Sequence, residues 1–155
     1  MAFDRATGTN DQLLTIGYEK LNIDEFVAGL KEAGVEVLLD IRDLPLSRKK
    51  GFSKNGLKAT LEAAGIEYLH FKALGDPKPG REAARAGKHD LFVEIFNKHI
   101  SNDTADEAFE KIAEIIETKR ACLLCFERCH ETCHRAIVAE EISARTGAKV
   151  RHLKV

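Results

Sequence analysis

The sequence predicts an α/β fold: a single domain with a mostly parallel central sheet of about five strands and helices on both faces, Rossmann-like in build. Three observations predict it. Short apolar runs alternate with amphipathic helical stretches, the pattern of strand–crossover–strand units. The run Val35-Glu-Val-Leu-Leu-Asp-Ile41 is β-branched and nearly continuous in apolar residues, as suits a strand buried on both faces. Polar and titratable residues collect where the strands end, the edge at which open α/β sheets hold their ligands.

Each element has its own signal. Residues 1–11 are polar and read as a flexible lead-in to a domain spanning 12–155. Gln12-Leu-Leu-Thr-Ile-Gly17 is a short apolar run ending in glycine, a buried strand. Asn22 offers an N-cap with Glu25 as its capping-box partner, and Ile23, Phe26, Val27 and Leu30 follow at helical spacing. Gly34 closes that helix, and Val35–Ile41 is the second strand. Arg42–Ser53 is a loop. Ser53 caps a helix to about Ala64 that places Leu57 and Leu61 inward, and Ile66–His70 is the third strand. Leu74–Lys88, with its prolines and glycines, reads as a second polar loop. Helices follow over about 89–100 and 104–118, then a fourth strand, Ala121–Phe126. Thr132 is placed to cap a last helix ending at Gly147, with Cys133, His134 and Arg135 in its first turn. Val150–Val155 is a short final strand.

Composition narrows the function. The chain has 155 residues, 44% hydrophobic and 32% charged, enough for a real core without staples. Its net charge of -1 excludes a global field toward nucleic acid or membrane, so any such attraction is local. No apolar run approaches the roughly 20 residues of a membrane span, and Met1–Asp11 lacks the apolar core of a signal peptide. A cytoplasmic protein with no membrane partner is the expectation.

All the cysteines, Cys122, Cys125, Cys129 and Cys133, lie in one short stretch. A disulfide framework would spread them along the chain. Clustering leaves metal binding, thiol chemistry or coincidence within a strand and its loop. Zinc is conceivable at Cys125, Cys129, His130, Cys133 and His134, but Cys-x3-Cys-x3-Cys is a loose spacing, and no metal or cofactor is assigned. Cys129 and Arg135 match the Cys-x5-Arg spacing of phosphatase and rhodanese loops, yet the intervening residues lack the usual glycines.

Cys133, His134 and Arg135 at a helix N-terminus form an anion cradle. Free backbone N–H groups and the helix dipole attract negative charge, an arginine fork grips phosphate, and a thiol there ionises more easily. The structural alternative is a buried small cysteine with Arg135 paired to Glu127 or Asp40. Asp40 and Arg42 flank Ile41 and point the same way, either as a base with its orienting arginine or as an ion pair. Arg42, Arg48, Lys49, Lys50, Lys54 and Lys58 form a basic loop that Lys72, Lys78, Arg81 and Arg85 could extend. Such a rim suits a phosphate-bearing partner, and a solvated loop is the bland alternative.

The pieces Thr15-Ile-Gly17 with Tyr18, Leu39-Asp-Ile-Arg42 through Pro45, Ser47 and Arg48, Phe52-Ser53-Lys54, Ile66–His70 with Leu74-Gly75, and Cys125-x-Glu127-x5-Cys133-His134-Arg135 run in one order. In these the chain resembles the domain-of-unknown-function family 488 from about residue 12 to 153. The resemblance implies an α/β fold and a shared site at Gly17, Asp40, Arg42, Pro45, Ser47, Arg48, Lys54, Glu127, Cys133, His134 and Arg135. It places Cys129 and His130 in a variable gap, against the zinc and Cys-x5-Arg readings, and it implies no reaction.

The expectation is an enzyme acting on a phosphate-bearing small molecule or nucleic acid. Cys133, His134, Glu127 and Asp40 are the catalytic candidates. Arg42, Ser47, Arg48, Lys54, Arg135, Gly17 and Tyr18 are the substrate-binding ones. The alternatives are a non-catalytic nucleotide or nucleic-acid binding module and a thiol- or metal-sensing protein.

Overall fold

The computed structural model describes residues 12–127 and 133–154. The lead-in at 1–11 and the readings placed on Cys129, His130 and Thr132 lie outside them. Strands β1 (Gln12–Gly17), β2 (Val37–Asp40), β3 (Glu67–His70), β4 (Ala121–Cys125) and β5 (Lys149–His152) form one sheet in the order β3-β2-β4-β1-β5. Every pairing is parallel. Helices α1 (Ile23–Glu32), α2 (Lys54–Ala63), α3 (Lys78–Arg85), α4 (His89–His99), α5 (Asp103–Thr118) and α6 (His134–Thr146) flank it.

Strand periodicity of two sorts the core into two layers. Leu14, Ile16, Leu38, Cys122 and Leu124 face α1 and α2, meeting Phe26, Leu30, Leu57 and Leu61. Leu13, Val37, Leu39 and Leu123 face the other way, against α3 to α6 and the side chains of Phe92, Phe96, Ile112 and Val138. The central strands β1, β2 and β4 are apolar on both sides because both sides are covered.

Local chemistry sets the helix ends. Asn22 caps α1 with a full capping box: its side chain accepts from the Glu25 amide at 2.8 Å, and Glu25 returns the bond to the Asn22 amide at 3.0 Å. Gly147 closes α6 at φ 79°, a left-handed cap that glycine adopts without strain.

The Leu74–Lys88 loop expected from its prolines and glycines is corrected: Lys78–Arg85 is helical. Pro79 sits in the first turn, where a missing N–H costs nothing, and Ala83 is buried in the α3–α6 layer. A single small apolar contact in eight residues gives too weak a periodicity to announce the helix.

The chain leaves β1 toward one face through α1 and leaves β4 toward the other through α6. Adjacent strands whose connections diverge open a crevice at their carboxyl ends. Among the described residues no helix is long and apolar enough to cross a membrane.

Candidate functional site

That crevice is a cleft of about 570 Å³. Its walls come from the segments following β1, β2 and β4 and from α3. Tyr18, Arg42, Ser47 and Arg48 line it, as do Cys125, Phe126, Glu127 and His134 from β4 onward. The basic loop and the cysteine segment therefore meet. Arg81 and Arg85 of α3 complete an arginine-rich wall, whereas Lys54, exposed at the start of α2, is not among the lining residues.

Asp40 and Arg42 form a buried pair. Arg42 grips the carboxylate through Nε at 2.9 Å and Nη2 at 2.8 Å. Its Nη1 donates to the Phe52 carbonyl at 2.7 Å and to the Tyr18 hydroxyl at 3.3 Å. The Tyr68 hydroxyl donates to Asp40 at 2.5 Å. Burial alone would weaken the Arg42 proton, but hydrogen bonding and charge from Asp40 outweigh it and push the pKa up. Burial, then the bond to Asp40, holds the Tyr68 hydroxyl protonated. With no exposed surface and its oxygens occupied, Asp40 anchors Arg42 at the cleft rather than facing the cleft itself.

Gly17 has a steric reason. A Cβ there would collide with the Glu127 carbonyl oxygen and the Arg135 guanidinium. Arg135 is fully buried, and its Nη1 donates to that carbonyl at 2.9 Å and lies 3.7 Å from Cys125 Sγ. Arg135 thus braces the Glu127 carbonyl and Cys125, and it is not among the residues that line the cleft.

Cys133, expected in the first turn of α6, is instead its N-cap, where its Sγ accepts from the Arg135 amide at 3.5 Å, and His134 and Arg135 begin the helix as expected. The sulfurs of Cys125 and Cys133 are in contact. His134 is buried, and its Nε2 lies 2.7 Å from the Ile41 carbonyl oxygen. A carbonyl can only accept, so Nε2 carries the proton and Nδ1 is an acceptor, 3.5 Å from Cys133 Sγ. Burial lowers the imidazole pKa to about 4, which keeps the ring neutral. Burial also raises the Glu127 carboxyl above its ordinary range. Cys133 itself lines a second pocket, of about 550 Å³, with Phe92, Ile137 and His152.

Asp76 escaped the sequence reading. It is 8% exposed, lines the cleft, and its Oδ1 meets no hydrogen-bond donor among the described residues. Burial is the main cause that lifts its pKa to about 7; the charges of Glu127 and Asp43 add to it and Arg81 opposes it. Gly80 leaves the space that Oδ1 fills, and Arg81 donates to the Asp76 carbonyl at 2.7 Å and to the Asp43 carboxylate at 3.1 Å. The available signal was an acidic residue held between Gly75 and Pro77, four residues before another glycine.

The sequence profile of a family described as a domain of unknown function, DUF488, matches residues 22–142. The chain belongs to the DUF488 family. No curated protein and no solved structure matches it. The matched span holds every wall of the DUF488 cleft except the Tyr18 edge contributed from the end of β1.

Proposed function

We propose that this DUF488 protein is an enzyme acting on a phosphate-bearing substrate, a nucleotide or nucleic acid, held in the arginine-lined cleft. One observation carries the reading: a buried carboxyl, Asp76, poised at about pH 7, faces the same cleft as Arg48 and Arg85. A carboxyl with that pKa can both take and give a proton at neutral pH, the property a general acid–base group needs. Arg48 and Arg85 are exposed and suit the phosphate oxygens, while Arg42 and Arg81 are engaged by Asp40 and Asp43 and shape the wall. Phe126, 46% exposed and edge-on to Tyr18, offers a flat apolar face for a base. His134 and Glu127 line the same cleft and supply further titratable groups there.

A screen of nucleotides and short oligonucleotides tests the reading. Turnover is expected in the wild type, with Asp76→Asn losing at least about 100-fold in kcat and Arg48→Ala raising KM. Salt-sensitive binding without product in any condition would make this DUF488 chain a binding module instead. Full turnover in Asp76→Asn would remove Asp76 from the chemistry.

A further inference from the structure

We propose that the reduced chain binds one thiophilic divalent cation, zinc in kind, through Cys125, Glu127 and Cys133. The donor atoms of these three residues all lie within 4.8 Å of one another. Cys125 ends β4, Glu127 follows two residues on, and Cys133 caps α6, so rigid elements hold two of the three donors. The backbone spacing favours an ion between the sulfurs. The Cys125 and Cys133 α carbons stand 7.3 Å apart, beyond the roughly 4.4–6.8 Å from which disulfides normally close. Two side chains converging on an ion, each sulfur about 2.3 Å from it, need no such closure.

The surroundings fit the charge. Two thiolates and a carboxylate carry three negative charges, and a divalent ion with the adjacent Arg135 guanidinium carries three positive ones. Arg135 also supplies N–H groups toward both sulfurs, from Nη1 to Cys125 at 3.7 Å and from its amide to Cys133 at 3.5 Å. Such outer contacts orient thiolate ligands and moderate their charge. Three protein donors among the described residues leave a fourth tetrahedral position, which water or substrate takes in zinc sites that do chemistry. Cys125 and Glu127 line the arginine cleft, so an ion here borders the same space.

The test is titration of cobalt(II) into the full chain, reduced and metal-free, read by thiolate-to-cobalt charge-transfer absorption, with zinc retention measured by elemental analysis. One equivalent is expected to bind. Cys125→Ser and Cys133→Ser are expected to weaken or abolish the charge-transfer band, and Glu127→Gln to weaken affinity at least about tenfold with unchanged circular dichroism. Cys129→Ser is expected to keep the full stoichiometry. Absence of the band in the reduced wild type overturns the site, as does an undiminished affinity in Glu127→Gln or loss of the band in Cys129→Ser alone. None of these readouts depends on turnover, so the site stands or falls separately from the enzymatic reading.

Discussion

Asp76 and the Asp40–Arg42 pair are both buried carboxylate settings, yet their consequences are opposite. Asp40 has Arg42 and Tyr68 on its oxygens and belongs to the frame. Removing one partner of a buried ion pair strands the other charge, so Arg42→Ala is expected to cost about 3–5 kcal/mol in chemical denaturation. Asp76 instead carries a proton that the unfolded chain releases near 3.8 and the folded chain keeps to about 7. The folded state therefore binds more protons between those values. This contribution to stability is whole below the unfolded value, is lost as pH rises through the interval, and levels off above it. Asp76→Asn removes that loss. Its melting temperature is expected to match the wild type near pH 4 and to exceed it at pH 8. An unchanged pH slope in the variant would assign the effect elsewhere. Stabilisation accompanied by lost turnover is the behaviour of a group kept for chemistry.

At the scale of elements, caps decide what a residue is worth. Asn22 and Glu25 satisfy each other's backbone donors at the start of α1, so Asn22→Ala is expected to lower stability by about 1 kcal/mol in urea unfolding. Ser53 sits at the equivalent place on α2 but does not cap it. Its hydroxyl accepts from the Ser47 amide at 3.0 Å and donates to the Ser47 carbonyl at 3.2 Å, tying down the loop that carries Arg48. The same residue type at the same helix position was legible as a cap, and tertiary pairing redirected it. The strands and five of the helices were legible because each repeats an apolar pattern across its length. Helix α3 was not, because Ala83 is its lone buried apolar side chain and Gly80 and Pro79 mimic loop chemistry.

For the whole molecule, the carboxyl-edge rule put Tyr18, Arg42, Cys125 and Glu127 at one edge of the sheet, but which of them meet depends on the strand order. Hydropathy could not order the three central strands, because β1, β2 and β4 are each apolar on both faces and could pair with one another in any order. It also could not reveal Asp76, whose significance depends on which side chains bury it. The net charge of -1 makes the cleft's attraction for phosphate a local effect of its arginines. Oligonucleotide affinity is therefore expected to fall as salt rises, and Arg48→Ala to reduce the slope of that dependence by about one phosphate contact. An affinity indifferent to salt would place recognition outside the arginine wall.

The position of β4 between β2 and β1 has a consequence for synthesis. As the chain emerges from the ribosome, β2 and β3 can pair early, but β1 must wait: its neighbours in the finished sheet, β4 and β5, are the last strands made. Leu13 meets Ala121 only when most of the chain exists. Such long-range parallel pairing is slow and exposes unpaired edges meanwhile. A nascent chain stalled before Ala121 would hold two apolar strand edges, β1 and β2, with nothing between them, a species for chaperones or proteases to find.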